Sequence, residues 1–217
     1  MSSVVEILSH EVYLKHLELK LSNIQDISKV SEEEALVLCC CYIEAIGSKK
    51  HQFSEPVEGE RKRTQRYSKS AAFTDTLVKY SGYDFWDKVH PIALVDLLPP
   101  IFDSNYEDYL YRLAEIGDAI REAEFVVEHV EDLFVNTKQR EWFKNHIHKG
   151  SLGNIAYSRV RSEIVHNVSH EPFSFLATWQ GEAIPDIDYK LMEGCLTNVI
   201  RNLRKLSIEQ NKLWWEL

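Results

Sequence analysis

A single apolar stripe in the middle of the chain constrains the fold more than any other feature. Apolar residues recur there at alternating steps of four and three, at Tyr109, Leu113, Ile116, Ile120, Ala123, Val127, Val130 and Phe134. Because residues three and four apart share a helix face, this spacing predicts one unbroken amphipathic helix of about seven turns. Such a stripe packs against other helices, so the pattern predicts an all-α helical bundle.

The same spacing recurs near both ends of the chain. The first segment carries Leu14, Leu17, Leu21 and Ile24, and the last carries Met192, Leu196, Val199, Leu203 and Leu206. Shorter helices are predicted at about 71–80, 92–98, 138–148 and 154–168, with "KGSLGN" as a turn between the last two. Pro99 and Pro100 end the second of these, since proline cannot continue a helix.

The segment "SEEEALVLCCCYIEAIG" predicts the central helix of the bundle. Ser31 and Glu34 have the spacing of a capping box, and Gly47 stands where a helix C-terminus favours glycine. The middle of the segment is apolar on nearly all sides, which is typical of a helix surrounded by others. Its consecutive cysteines, Cys39 to Cys41, lack the spacing of a zinc site or a disulfide framework, so we interpret them as small buried residues.

Two irregular excursions interrupt the helical pattern. A polar loop is predicted at about 48–68, where apolar residues thin out and "EPVEGERKRTQRYSK" includes Pro56 and Gly59. An irregular insertion at about 167–187, including "HEPFSFLATWQGEAIPD", has room for a short hairpin. The whole chain, 1–217, is predicted to be a single α-helical domain, because its length suffices for one large core.

Charge and hydropathy limit the partners that the chain can have. A formal net charge of −9 argues against a general nucleic-acid coat protein, so any RNA contact must be confined to a patch. No apolar run reaches the roughly eighteen residues of a membrane span, and His10, Glu11 and Lys15 interrupt the place where a signal peptide needs an apolar core. These features predict a cytoplasmic protein without membrane contact.

Residues 161–167 read "RSEIVHN", with Arg161 five positions before His166. About one arginine–histidine pair at intervals of five to seven is expected by chance, and three occur: Arg161/His166, Arg140/His146 and Arg159/His166. The interval alone is therefore uninformative. The surrounding pattern is more particular, because two aliphatic residues precede the histidine at a predicted helix end and the turn-forming "NVSHEP" follows.

This segment resembles the R-x4–6-H motif of the HEPN superfamily, all-helical domains of which many are metal-independent endoribonucleases in toxin–antitoxin, antiviral and RNA-processing systems. The early segment "EEEALVLCCCYIEAI" is similar to the core helix of some members, and the rest of the chain matches in helical character. After the motif arginine, active members often carry Asn, Asp or His, whereas this chain has Ser162.

The resemblance implies roles for individual residues. His166 is the expected acid/base and Arg161 the expected phosphate clamp, with Ser162, Asn167 and Arg159 in support. Histidine exchanges protons near neutral pH, and arginine offers a permanently charged fork of donors to phosphoryl oxygens. The implied products are a 2′,3′-cyclic phosphate and a 5′-hydroxyl.

A dimer is part of the same expectation. On an ideal α-helix, residues five apart are separated by about 140°, so Arg161 and His166 would not share a face. Relatives commonly form homodimers in which two motifs meet across a two-fold axis, and each histidine then lies near the partner's arginine. The implied partners are RNA, a second copy of the chain and, if the protein is a toxin, a cognate antitoxin.

Two basic stretches are candidates for holding RNA. The first, "RKRTQRYSK", supplies Arg61, Lys62, Arg63, Arg66 and Lys69, with Tyr67 available to stack on a base. The second, from Lys138 to Lys149, supplies Arg140, Lys144, His146 and His148. Each stretch is also compatible with an ordinary solvated surface.

Other site chemistries find less support in the sequence. Glu163, His166 and His170 would share a helix face, but a di-iron bundle needs two Glu-x-x-His elements, and only one occurs. No phosphate loop or nucleophile elbow is present, and "LWWEL" is interpreted as a packing or dimer contact, so no cofactor is implied. The alternative to a nuclease is a non-catalytic HEPN-like module for dimerisation or protein interaction, which the acidic charge and Ser162 favour.

Overall fold

The computed structural model describes residues 4–53, 68–97, 106–162 and 177–217, and within these ranges the protein is mostly helical. Its α-helices are α1 (Val4–Ser28), α2 (Glu32–Phe53), α3 (Lys69–Tyr80), α4 (Pro91–Leu97), α5 (Tyr106–Ile116), α6 (Ala123–His129), α7 (Thr137–His146), α8 (Leu152–Ile155) and α9 (Tyr189–Gln210). Short 3₁₀ segments span Glu131–Leu133, Ile147–Gly150 and Trp214–Glu216, and a π-helix spans Ala156–Ser162. The predicted all-α bundle is confirmed.

Helix α2 lies at the centre of the bundle, as its composition predicts. It packs against α1, α3 and α9, and Cys39, Cys40, Ile43 and Ile46 are fully buried. The backbone N–H of Glu34 donates to the Ser31 hydroxyl at 3.3 Å, which satisfies one unpaired donor of the first turn.

The prediction that α2 ends near Gly47 is wrong. The helix continues to Phe53, so residues 48–53 of the predicted polar loop are helical. A Cβ at Gly47 would lie 2.4 Å from the carbonyl oxygen of Ala72, so glycine is required there by the close approach of α3. The rest of the predicted loop, 54–67, lies outside the described residues.

The prediction of one long helix through the central stripe is also wrong. Helix α5 stops before Gly117, whose φ of +69° is a left-handed conformation that interrupts a right-handed helix. The next residues are extended: Ile120 N–H donates to the Thr178 carbonyl at 3.0 Å, and Arg121 forms an antiparallel bridge with Val89. Burial of the stripe persists across the break, since Leu113, Ile120 and Val130 are all fully buried.

Two apolar clusters form the core. The larger joins α1, α2, α3 and α9, and the smaller joins α4, α5, α6 and α7 around the fully buried ring of Phe143. Backbone hydrogen bonds connect the two clusters, because Leu152 N–H donates to the Lys88 carbonyl at 3.0 Å and Gly153 N–H to the Trp86 carbonyl at 2.8 Å.

A short hairpin forms in the second irregular region, as predicted. Strands β1 (Thr178–Trp179) and β2 (Glu182–Ala183) are antiparallel, with Thr178 opposite Ala183 and Trp179 opposite Glu182. Gln180 and Gly181, which form the turn, both have positive φ, the requirement of a tight two-residue hairpin.

Trp214 and three of the four cysteines, Cys39, Cys40 and Cys195, belong to the core. Trp214 is fully buried and stacks on Tyr13 with ring centroids 5.1 Å apart, which confirms a packing role. Burial raises the pKa of the Cys39 and Cys195 thiols to about 12, so both are protonated and unreactive at neutral pH. Among the described residues, no helix combines the length and apolar character needed to cross a bilayer.

Candidate active site

The helix that carries Arg161 changes type along its length. Helix α8 begins after Ser151, whose hydroxyl accepts from the backbone N–H of Asn154, and the chain continues as the π-helix Ala156–Ser162. The Ser158 hydroxyl donates to the Asn154 carbonyl at 2.8 Å, inside the transition between the two helix types. In a π-helix the backbone hydrogen bonds join residues five apart, and such segments occur frequently at functional sites.

Arg161 is held against the core by a carboxylate that the sequence analysis did not select. Its Nη2 lies 3.0 Å from Oε2 of Glu44 on α2, and the two side chains are 18% and 9% exposed. The guanidinium carbon lies 5.5 Å from the ring centroid of Tyr157, one turn earlier in the π-helix. The guanidinium is thus fixed by an ion pair and by an aromatic ring.

Glu44 is the centre of this cluster, since it also contacts a second cation. Lys69 Nζ, at the start of α3, lies 3.4 Å from the other carboxylate oxygen. Burial raises the pKa of the Tyr157 hydroxyl, and the charge of Glu44 adds to this effect. A single acid within the apolar run "CCCYIEAIG" is the signal that points to Glu44, because an unpaired buried carboxylate is costly and requires a cation nearby.

The two basic stretches predicted from the sequence end at this cluster. Lys69 closes the first stretch and contacts Glu44 directly. The next residue, Ser70, donates its hydroxyl to the side-chain oxygen of Asn154. The Asn154 amide in turn donates to the carbonyl of Lys149, the end of the second stretch, at 2.8 Å. The start of α3 therefore brings the ends of both stretches to the elements that carry Arg161.

Several predicted site residues cannot be located relative to Arg161. His166 and Asn167 lie outside the described residues, as do Arg61, Lys62, Arg63, Arg66 and Tyr67 of the first basic stretch. Ser162 is the last residue of the π-helix, and Arg159 is a partly exposed residue of the same helix. Their predicted roles stay predictions.

The second basic stretch is described in full and divides into two parts. Arg140 forms an ion pair with Glu131 at the protein surface, which offsets part of its positive charge. Lys144 is exposed, and no residue that the structure describes forms an ion pair with it. Of the two residues predicted to bind RNA here, Lys144 is the one whose charge is available.

The described part of the chain offers no metal centre. It contains no group of three or more His, Cys, Asp or Glu side chains arranged to hold an ion. The face considered from the sequence, Glu163, His166 and His170, lies outside the described residues.

Comparison with known proteins adds no family assignment. No family model, no curated protein and no solved structure matches this chain. The resemblance to the HEPN motif therefore stays a prediction, and a functional assignment has to rest on that motif and on the geometry around Arg161.

Proposed function

We propose that the protein is a metal-independent endoribonuclease with Arg161 and His166 at its active site. The single observation that carries the proposal is the arrangement at Arg161. Glu44 contacts both the mostly buried Arg161 and Lys69, which ends the first basic stretch, and Ser70 and Asn154 link this point to the backbone of Lys149, which ends the second. In a chain of net charge −9, such a concentration of cationic segments is the feature that an RNA phosphate requires.

The proposed reaction needs no group beyond the protein and the RNA. A ribose 2′-oxygen attacks the adjacent phosphorus, the bond from phosphorus to the 5′-oxygen breaks, and a 2′,3′-cyclic phosphate and a 5′-hydroxyl result. His166 exchanges the protons, and Arg161 stabilises the charge that builds up on the phosphoryl oxygens in the transition state. Glu44 and Tyr157 keep the guanidinium in a fixed orientation before RNA binds.

The helix type next to the motif supports the pairing of Arg161 with His166. The α-helical separation of about 140° is unfavourable for residues five apart. The segment that leads into the motif is a π-helix, whose backbone bonds join residues five apart. Continuing this geometry over the motif would bring the two side chains toward one face. A homodimer in which two motifs meet gives a second route to the same site.

The resemblance to HEPN domains implies a biological setting for this proposal. An RNA-cleaving protein of this kind would act in the cytoplasm, in a toxin–antitoxin, antiviral defence or stress-response system. In a toxin, the cognate antitoxin would control access of RNA to Arg161.

A second candidate function is a non-catalytic helical module for dimerisation or protein binding. The observation that favours it is the ion pair itself, because Glu44 neutralises the positive charge that a phosphate clamp needs. In that case Arg161 stabilises the bundle, and the basic residues are part of a solvated surface or a protein interface.

RNA cleavage in EDTA tests the proposal. The protein is incubated with structured and single-stranded RNA beside Arg161→Ala and His166→Ala, with Arg204→Ala as the control for removing an ion-paired arginine that has no proposed role in RNA contact. We expect cleavage by the wild type and by Arg204→Ala, and a loss of about 100-fold or more in the other two variants. No cleavage by the wild type, or cleavage that Arg161→Ala and His166→Ala retain, would rule out the nuclease and leave the interaction module.

A further inference from the structure

A ring stack of tryptophan and histidine marks the last turn of α7. The rings of Trp142 and His146 are nearly parallel, 16° apart, with centroids separated by 4.0 Å, and both residues are partly exposed. The Nδ1 atom of His146 lies 2.7 Å from the Trp142 carbonyl oxygen, which holds the imidazole in place. The other ring nitrogen of His146, Nε2, takes no part in this contact.

The charge around this stack is positive. The stretch from Lys138 to Lys149 contains four Lys or Arg residues and the single acid Glu141. Lys138, four residues before Trp142 on the same face of α7, is exposed, and the structure describes no ion pair that neutralises Lys138 or Lys149. A flat aromatic pair beside free cations has the composition of a nucleic-acid subsite, in which bases stack on rings and phosphates contact lysines.

The chain supplies its own comparison at the end of α6. The rings of Phe125 and His129 are also nearly parallel, 13° apart, with centroids separated by 5.9 Å. Their segment, 121–132, carries five acids and one cation, Arg121, whose guanidinium carbon lies 5.5 Å from the Phe125 ring centroid. The His129 Nε2 atom lies 3.5 Å from a carboxylate oxygen of Glu115. Negative charge at this second stack repels phosphate, so the two stacks differ in electrostatics while sharing a ring arrangement.

The Trp142–His146 stack also has a structural connection to Arg161. Two residues separate His146 from Lys149, whose carbonyl accepts from Asn154. Asn154 accepts from Ser70 beside Lys69, and Lys69 contacts the carboxylate that holds Arg161. The end of α7 and the candidate active site are therefore joined by consecutive short contacts.

We propose that the Trp142–His146 stack is a nucleobase-binding subsite for single-stranded RNA, with Lys138 and Lys149 as its phosphate contacts. This inference rests on the proposed nuclease function and adds the position at which the strand is held next to Arg161. An unpaired base extends the stack on the face of the His146 ring that is turned away from Trp142, so duplex RNA, whose bases are stacked internally, is excluded from the subsite.

Binding of a non-cleavable RNA tests the subsite separately from catalysis. A short fluorescein-labelled 2′-O-methyl RNA of mixed sequence is titrated with full-length protein, and anisotropy gives the Kd at several salt concentrations. His146→Ala is the test variant and His129→Ala is its matched control, because Trp142 also packs on the core and its removal risks misfolding. We expect a roughly tenfold higher Kd for His146→Ala and no change for His129→Ala.

A lysine variant provides a second measurement. Lys138→Ala is expected to lower the slope of log K against log salt by about one, which is the loss of one phosphate contact. Binding by the wild type that neither His146→Ala nor Lys138→Ala alters would overturn the subsite without affecting the nuclease proposal. Equal loss in His146→Ala and His129→Ala, or no binding by the wild type, would overturn it as well, and cleavage in EDTA would still decide the nuclease independently.

Discussion

Arg161 and Arg140 both precede a histidine at a short interval, and both form an ion pair with a glutamate, but their surroundings differ. The Arg140 and Glu131 side chains are 42% and 43% exposed, so water and salt screen their attraction. Arg161 and Glu44 are mostly buried against the central helix. The same two residue types thus form a solvent-screened ion pair at the surface in one place and a mostly buried ion pair in the other.

The difference teaches why sequence intervals are poor guides to sites. The glutamate that pairs with Arg140 is nine residues earlier in the chain, whereas the glutamate that pairs with Arg161 comes from a different helix. Burial of the second pair depends on how α2, α3 and the π-helix pack. Whether an arginine is part of a site is therefore decided by tertiary structure.

Replacing each arginine by alanine is expected to give the largest difference in stability between the two ion pairs. Arg161→Ala leaves the Glu44 carboxylate buried with the exposed Lys69 as its remaining cation among the described residues, so we expect a loss of roughly 3 kcal/mol in the free energy of unfolding. Arg140→Ala exposes Glu131 to water and is expected to cost less than about 1 kcal/mol. Urea unfolding followed by circular dichroism measures both. Equal losses would show that burial does not distinguish the pairs.

A glycine substitution disturbs the buried site without altering a charge. Gly47→Ala places a Cβ against the backbone of Ala72, so α3 must move away from α2, and we expect a destabilisation of about 2 kcal/mol. Gly194→Ala in α9 is the matched control, because a Cβ there meets nothing within 4 Å. We expect it to stabilise the helix by about 0.5 to 1 kcal/mol. Thermal unfolding of the two variants measures the difference, and a neutral Gly47→Ala would contradict close packing at this point.

Lys50, also on α2, is a buried charge that forms no ion pair with any carboxylate in the described part of the chain. Its Nζ contacts the Tyr80 hydroxyl and lies 4.1 Å from the centre of that ring, and desolvation lowers the pKa of Lys50 from 10.5 to about 8. The unfolded chain therefore binds more protons than the native protein between about pH 8 and 10.5, so the contribution of Lys50 to stability rises with pH across this window.

Lys50→Met tests this pH dependence. Below pH 8 the lysine destabilises the native state, so we expect the variant to be more stable than the wild type by about 1 kcal/mol, after discounting for partial solvent exposure. The advantage should shrink as the pH rises toward 10.5. Chemical unfolding at pH 7, 9 and 10 gives the difference, and an advantage that is constant with pH would contradict a lowered pKa.

The smallest expected effect is that of salt on the stability costs of these two arginine substitutions. Adding about 1 M sodium chloride shortens the screening length to roughly 3 Å, which should remove most of the small cost of Arg140→Ala. The cost of Arg161→Ala should persist, because ions have little access to Glu44. Repeating the unfolding experiments at low and high salt measures this, and equal salt sensitivity of the two costs would contradict the difference in burial.

Helical spacing alone could predict the bundle, because periodic burial is a local property of the sequence. The stripe from Tyr109 to Phe134 correctly identified buried positions, but it could not reveal the break at Gly117. An extended segment that pairs with Val89 and Thr178 satisfies the same burial by contacts with distant residues. Gly47 was misleading for a similar reason, because close helix packing and a helix end both favour glycine.

The candidate site could be predicted only in part. The motif "RSEIVHN" selected Arg161, but Glu44 and Tyr157 are important because of distances that no local pattern contains. Likewise, nothing in the sequence distinguishes Arg140 from Lys144 as a predicted RNA contact. The structure distinguishes them, because Arg140 forms an ion pair with Glu131. Charge and spacing identify candidates, whereas packing decides which of them are available.

The π-helix makes the position of Arg161 depend on the number of residues in this segment rather than on side-chain chemistry. Between Ala156 and Ser162 each backbone ring encloses one residue more than in an α-helix. Deleting a single residue there, such as Ser158, would allow the α-helical register to return and would turn Arg161 about 100° around the helix axis, away from Glu44. One codon in this segment therefore sets whether the guanidinium faces the core or the solvent, even though every side chain of the cluster would still be present.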